Sequence, residues 1–125
     1  MKTTTAILLG TFAFVLLLSC TKDENPVSPV RAVPPGAPGQ VSAIAELINS
    51  ITVKWSKTPG AANYTVFRAP SDTGTFDSVS TTVDTMFVNG ELQPSTVYFY
   101  KIKAKNAAGA SPFSAVAFDT TLPVP

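Results

Sequence analysis

Between Thr96 and Asn106 two kinds of residue alternate: Tyr98, Tyr100, Ile102 and Ala104 share one parity, while Lys101, Lys103 and Lys105 share the other. In an extended chain successive side chains point to opposite faces, so this stretch has one face that must be covered and one that must stay wet. A helical repeat would scatter both rows around its axis and is excluded here. The same period of two recurs in Tyr64 and Val66 and in Ile51, Val53 and Trp55. Three apolar rows on separate segments can cover one another only as two packed sheets, and no helix-period stretch competes after Val41.

Turn residues at short intervals divide the chain into candidate strands at Val41 to Glu46, Ser50 to Trp55, Asn63 to Arg68, Phe76 to Ser80, Thr85 to Asn89, Thr96 to Asn106 and Ser114 to Thr120. The breaks at Lys57 to Gly60, Pro70 to Gly74, Asn89 to Gly90, Gln93 to Pro94 and Asn106 to Pro112 are rich in Gly, Pro, Asn and Asp. A chain of 125 residues holds one such domain and a tail.

Taken in order, these residues resemble a fibronectin type III domain. The resemblance is carried by the proline-led start near Pro38, by Trp55, and by Tyr64-Thr-Val66-Phe-Arg68. Further along it rests on Leu92-Gln-Pro94-Ser-Thr96-Val-Tyr98, then Ile102, Ala104, Asn106, Ala108-Gly109 and Ser111-Pro-Phe-Ser114. It implies an all-β, seven-stranded, two-sheet immunoglobulin-like sandwich spanning residues 38–122, with a tail at 123–125. The segment from Leu92 to Tyr98 matches the tyrosine corner of such sandwiches, in which a tyrosine hydroxyl bonds to backbone a few residues upstream. Trp55, Leu92, Pro94 and Tyr98 are therefore expected to be structural. The loop from Asn106 to Pro112 lies where some family members carry Arg-Gly-Asp; it has no such triplet, so that adhesive activity does not carry over.

The beginning of the chain reads differently. Lys2 precedes an apolar run from Ala6 to Leu18 that ends in Ser19, the layout of a secretory signal peptide and short for a membrane span. Leu17-Leu18-Ser19-Cys20 resembles the lipobox of bacterial lipoproteins, which implies cleavage after residue 19 and acylation of Cys20. Two or three acyl chains hold a protein on a bilayer where one is marginal. Lys22-Asp23-Glu24 is similar to an export signal that some Gram-negative bacteria place behind the lipidated cysteine. The expected location is the bacterial outer membrane, on the cell surface, with the periplasmic face or secretion as alternatives. Residues 20–37 carry prolines at 26, 29, 34 and 35, which suits a tether that cannot build a core.

The composition excludes several functions. Histidine is absent and Cys20 is alone, so no intramolecular disulfide and no His/Cys metal set can form, nor can nucleophile pairs that need histidine. The eight acids show no local pairing, and neither an enzyme nor a cofactor is expected. A net charge of +1 gives no general attraction toward nucleic acid. Parity leaves Phe67 and Phe99 on the outer face beside Lys101, Lys103 and Lys105, a candidate binding face for an envelope protein or glycan. The reading is a lipid-anchored module for structural spacing or protein interaction. The alternatives are a glycan-binding or adhesive module, or an accessory fragment of a longer extracellular enzyme, the latter suggested by the linker-like ending from Thr121 to Pro125.

Overall fold

A computed structural model describes residues 32–125. The signal segment, Cys20, the Lys22-Asp23-Glu24 cluster and the first part of the tether lie outside the described residues. Eight strands follow in order: β1 (Ser42–Leu47), β2 (Ser50–Lys54), β3 (Asn63–Ala69), β4 (Asp77–Thr82), β5 (Met86–Asn89), β6 (Val97–Asn106), β7 (Gly109–Ala110) and β8 (Ala117–Thr120). They form an all-β sandwich of two antiparallel sheets. One has the order β1-β2-β5; the other runs β4-β3-β6-β7, with β8 also paired to β6.

The alternation explains which faces meet. Ile51 and Val53 from β2, Tyr64 and Val66 from β3, and Tyr100, Ile102 and Ala104 from β6 are all buried and form one core with Trp55 and Leu92. Trp55 packs edge-on against Tyr64, with ring centroids 5.5 Å apart, an arrangement that favours contact between one ring's edge and the other's face. The Tyr64 hydroxyl accepts a hydrogen bond from the Thr58 amide at 2.8 Å, so the core tyrosine also fixes the β2–β3 loop. Gly60 in that loop has φ +80°, a conformation open to glycine at little cost.

Where seven strands are expected, the last divides into β7 and β8. Pro112 has no N–H to offer and interrupts the ladder. The serines on either side restore it with side chains. The Ser111 amide donates to the Ala104 carbonyl at 2.7 Å, and its Oγ accepts from the Ala104 amide at 2.9 Å. Ser114 does the same for Ile102, at 2.8 and 2.9 Å. Two hydroxyls thus stand in for two backbone carbonyls. The buried backbone of β6 stays satisfied across a gap in its neighbour.

The last residues of the proline-rich segment lie against the domain. Pro35 and Pro38 are buried, and the Asn106 side-chain amide donates to the carbonyls of Val33 and Gly60 at 2.8 and 3.1 Å. The Asn106 side-chain Oδ1 meanwhile accepts from the amides of Ala108 and Gly109, closing the tight β6–β7 hairpin. The expected tether, 20–37, is therefore seated on the domain over its final residues.

Candidate functional site

The outer face of β6 is the surface on which the sequence placed a binding role, and the fold puts more there than parity alone indicates. Phe67 stands opposite Lys101 in the β3–β6 register, while Phe99 stands opposite Ala69 on one side and Phe118 on the other. The two rings share a face, but each takes a different partner. Phe67 meets Phe113 edge-on at 5.0 Å with an interplanar angle of 84°. Phe99 lies against Phe118 at 5.2 Å and 31°. The expected Phe67 and Phe99 pair is therefore two pairs, each completed by a residue of the C-terminal segment.

Phe113 reaches this face because of the interruption at Pro112. Ser111 and Ser114 turn inward to bond with β6, and Phe113, which follows Pro112 between them, lies out over the sheet. Lys101 and Lys103 then lie on the rings instead of rimming them. The Lys101 ammonium sits 4.2 Å from the Phe76 centroid and 4.7 Å from that of Phe113, and the Lys103 ammonium is 4.3 Å from Phe113. A cation over an aromatic face is attracted by the ring quadrupole, by about 0.5–1 kcal/mol at exposed sites. Lys105 is exposed at the end of the strand, opposite Asn63 and Ala110. Five of the chain's eight phenylalanines meet on this one surface. Phe118 stays 60% exposed and Phe113 38%, with Val116 also open to solvent.

The residues expected to be structural fall elsewhere. Tyr98 is half-buried, and its hydroxyl accepts from the Gln93 amide at 3.0 Å, five residues upstream. Leu92 is buried in the core and Pro94 half-buried beside it in sequence. The Thr96 hydroxyl donates to the Pro94 carbonyl at 2.8 Å, so the approach to β6 is bonded on both sides of Ser95.

A polar cluster that the alternation does not reveal closes this end of the core. Tyr100 donates its hydroxyl proton to Asn89 Oδ1 at 2.9 Å, and Arg68 Nη1 donates to the same oxygen at 3.1 Å. The Arg68 guanidinium also lies 5.4 Å from the centre of the Tyr98 ring. Burial pushes the Tyr100 hydroxyl well above its ordinary pKa, and the nearby Arg68 charge offsets this only in part. The arrangement uses a neutral phenol as donor and contributes to packing instead of proton transfer. The only sequence signal for it is that Arg68 falls on the inward parity of β3.

Comparison with known proteins agrees with this geometry. The sequence profile described as Fibronectin type III domain matches residues 36–120. Fibronectin type-III domain-containing protein 3A of Pongo abelii is 30% identical over 115 residues, covering 81% of this chain; the chain spans about a tenth of that relative's length, since 10% of it is matched. Among solved structures, the crystal structure of FN3tt superposes with a TM-score of 0.66 at 27% identity, over 72% of this chain and 97% of that one. A Fn3-like protein from Clostridium thermocellum gives 0.65 at 24% identity, over 73% and 97%, a likeness of fold. Sequence profile, core and strand order all lead to one assignment: this chain belongs to the fibronectin type III family.

Proposed function

We propose that the chain is a lipid-anchored cell-envelope protein that presents a single fibronectin type III module for structural spacing or protein interaction. Domains of this family typically serve as binding or spacer modules, and nothing in the chain indicates catalysis. The observation that carries the interaction reading is the outer strip of β6. Four phenylalanines in two pairs, with Lys101 and Lys103 laid over Phe113, form an aromatic surface braced by its own contacts, with Phe118 and Phe113 partly open. Rigid aromatics lose little freedom on binding and are enriched where partners meet. The proposed partner is an envelope protein.

The anchor is argued from chemistry. Cys20 has no second cysteine to pair with and follows directly on a greasy segment, so acylation accounts for both. The outer membrane is the proposed location, with the Lys22-Asp23-Glu24 cluster favouring display on the cell surface. Intact mass of protein extracted from the membrane tests the anchor: a mature chain starting at an acylated Cys20 is expected, and an unmodified cysteine or a retained Met1 would refute it. Protease digestion of whole cells tests display. Cleavage of the module is expected, and protection places it on the periplasmic side.

A further inference from the structure

The two ends of the sandwich carry opposite charge. Register puts Lys54 beside Ser42 and Met86, and Lys105 beside Asn63 and Ala110. Both stand at the end where the β2–β3 loop, carrying Lys57, meets the β4–β5 turn, carrying Asp84. At the other end lie Glu46 beside the β1–β2 turn, Asp72 in the β3–β4 loop, Asp77 opposite Arg68, Glu91 after β5, and Asp119 opposite Tyr98. One acid accompanies three lysines at the first pole, and Arg68 alone accompanies the acids at the second. The balance of charge over the whole chain hides this division.

The basic pole is also where the chain comes into the domain. Asn106 holds the Val33 carbonyl there together with that of Gly60, and the Pro34 ring lies beside Gly109, 3.4 Å from where a Cβ would stand. Apolar side chains are open to solvent at this same end: Val83 is 76% exposed, Val33 66% and Met86 48%. Between the β2–β3 loop and the β4–β5 turn runs a crevice of about 500 Å³, with Lys57 and Asp84 on its walls and Tyr64, Val83 and Met86 among its apolar lining.

We infer that this pole docks on the anionic headgroups of the membrane that anchors the chain. Lys54, Lys57 and Lys105 meet the charge while Val33 and Val83 enter the interface. The inference rests on the lipid-anchored reading. A basic surface is drawn to anionic lipid within about a Debye length, ~8 Å at physiological salt. The last residues of the tether lie at this pole, so an anchor at Cys20 keeps the pole near the membrane at high effective concentration. The acidic pole is repelled and points away, so the charge division fixes an orientation that the anchor alone would not. The module then stands upright, with the aromatic strip of β6 directed sideways along the membrane.

Hydrogen exchange of the full chain, reconstituted in vesicles and read by mass spectrometry, tests this. Vesicles of phosphatidylcholine alone are compared with vesicles also containing phosphatidylglycerol. Exchange across 56–62 and 82–86 is expected to slow several-fold only on the anionic vesicles, while 70–76 and 89–95 stay unchanged. The protection should vanish in 1 M salt, where the Debye length is about 3 Å. It should also vanish in the triple variant Lys54→Glu, Lys57→Glu, Lys105→Glu, and weaken in Val83→Asp. Equal exchange on both vesicles overturns the inference. Protection that grows with protein density regardless of lipid overturns it in favour of a second copy, whose acidic pole would then be the occupant. Intact mass from the same sample reports separately on Cys20, so loss of the anchor reading and loss of the docking surface are told apart.

Discussion

The two faces of β6 are made by one strand and do different work. Its inner row, Tyr100, Ile102 and Ala104, is completely buried and meets the facing sheet. Its outer row, Phe99, Lys101 and Lys103, is only half-buried and is covered in part by Phe113 and Phe118, which follow the strand. A fully buried face must fit partners fixed by the rest of the fold, and removing atoms from it leaves a cavity. A half-covered face can lose a ring and let water in. The inner row therefore holds stability, and the outer row is free to hold recognition.

The largest test of that contrast is a truncation on the inner face. Ile102→Ala should cost about 2–5 kcal/mol, because the residue is fully enclosed and the cavity cannot collapse. Urea denaturation checks it, and a loss below 1 kcal/mol would mean that the inner row is not the source of stability. Asn89→Ala comes next, at about 1–3 kcal/mol, since it leaves the buried Tyr100 hydroxyl and the Arg68 guanidinium without their shared acceptor. Tyr98→Phe removes one bond at the edge of the core, where water can reach the Gln93 amide; a loss of about 1 kcal/mol is expected, visible as a lower Tm. An unchanged melting curve would deny the corner any structural role. On the outer face, Lys103→Ala should cost about 0.5 kcal/mol, readable as a small shift in the urea midpoint.

The Tyr100 hydroxyl sharpens the same contrast through pH. Its pKa is raised in the folded state by burial, so the folded chain resists ionisation that the unfolded chain undergoes near pH 10. The stabilisation is fully present below that pH and falls as the pH rises beyond it, because the unfolded state then gains by releasing the proton. Urea denaturation at pH 9 and pH 11 should show the fall in the parent, and it should be smaller in Tyr100→Phe. The reverse trend would contradict the buried neutral phenol.

The inner row was legible because burial on one face of a strand imposes a period of two, and Tyr98 to Ala104 keep it without a break. The corner at Tyr98 was legible from spacing within one short segment. Asn89 was not, since a polar residue at a strand end looks like a turn former until the facing Tyr100 and Arg68 are known. Phe113 and Phe118 escaped for a related reason. Pro112 breaks the alternation, so parity could not say on which side Phe113 would emerge, and Phe118 gains its partner only through the β6–β8 register. The division of charge between the poles was equally hidden, because it depends on which strand ends share one end of the sandwich.

The outer strip of β6 is proposed to recognise a partner while contributing little to the fold. Retention on native envelope material by the double variant Phe67→Ala, Phe99→Ala, at a circular dichroism spectrum matched to the parent, tests it most directly. Retention should be lost while the variant stays folded; retention equal to that of the parent would contradict the account.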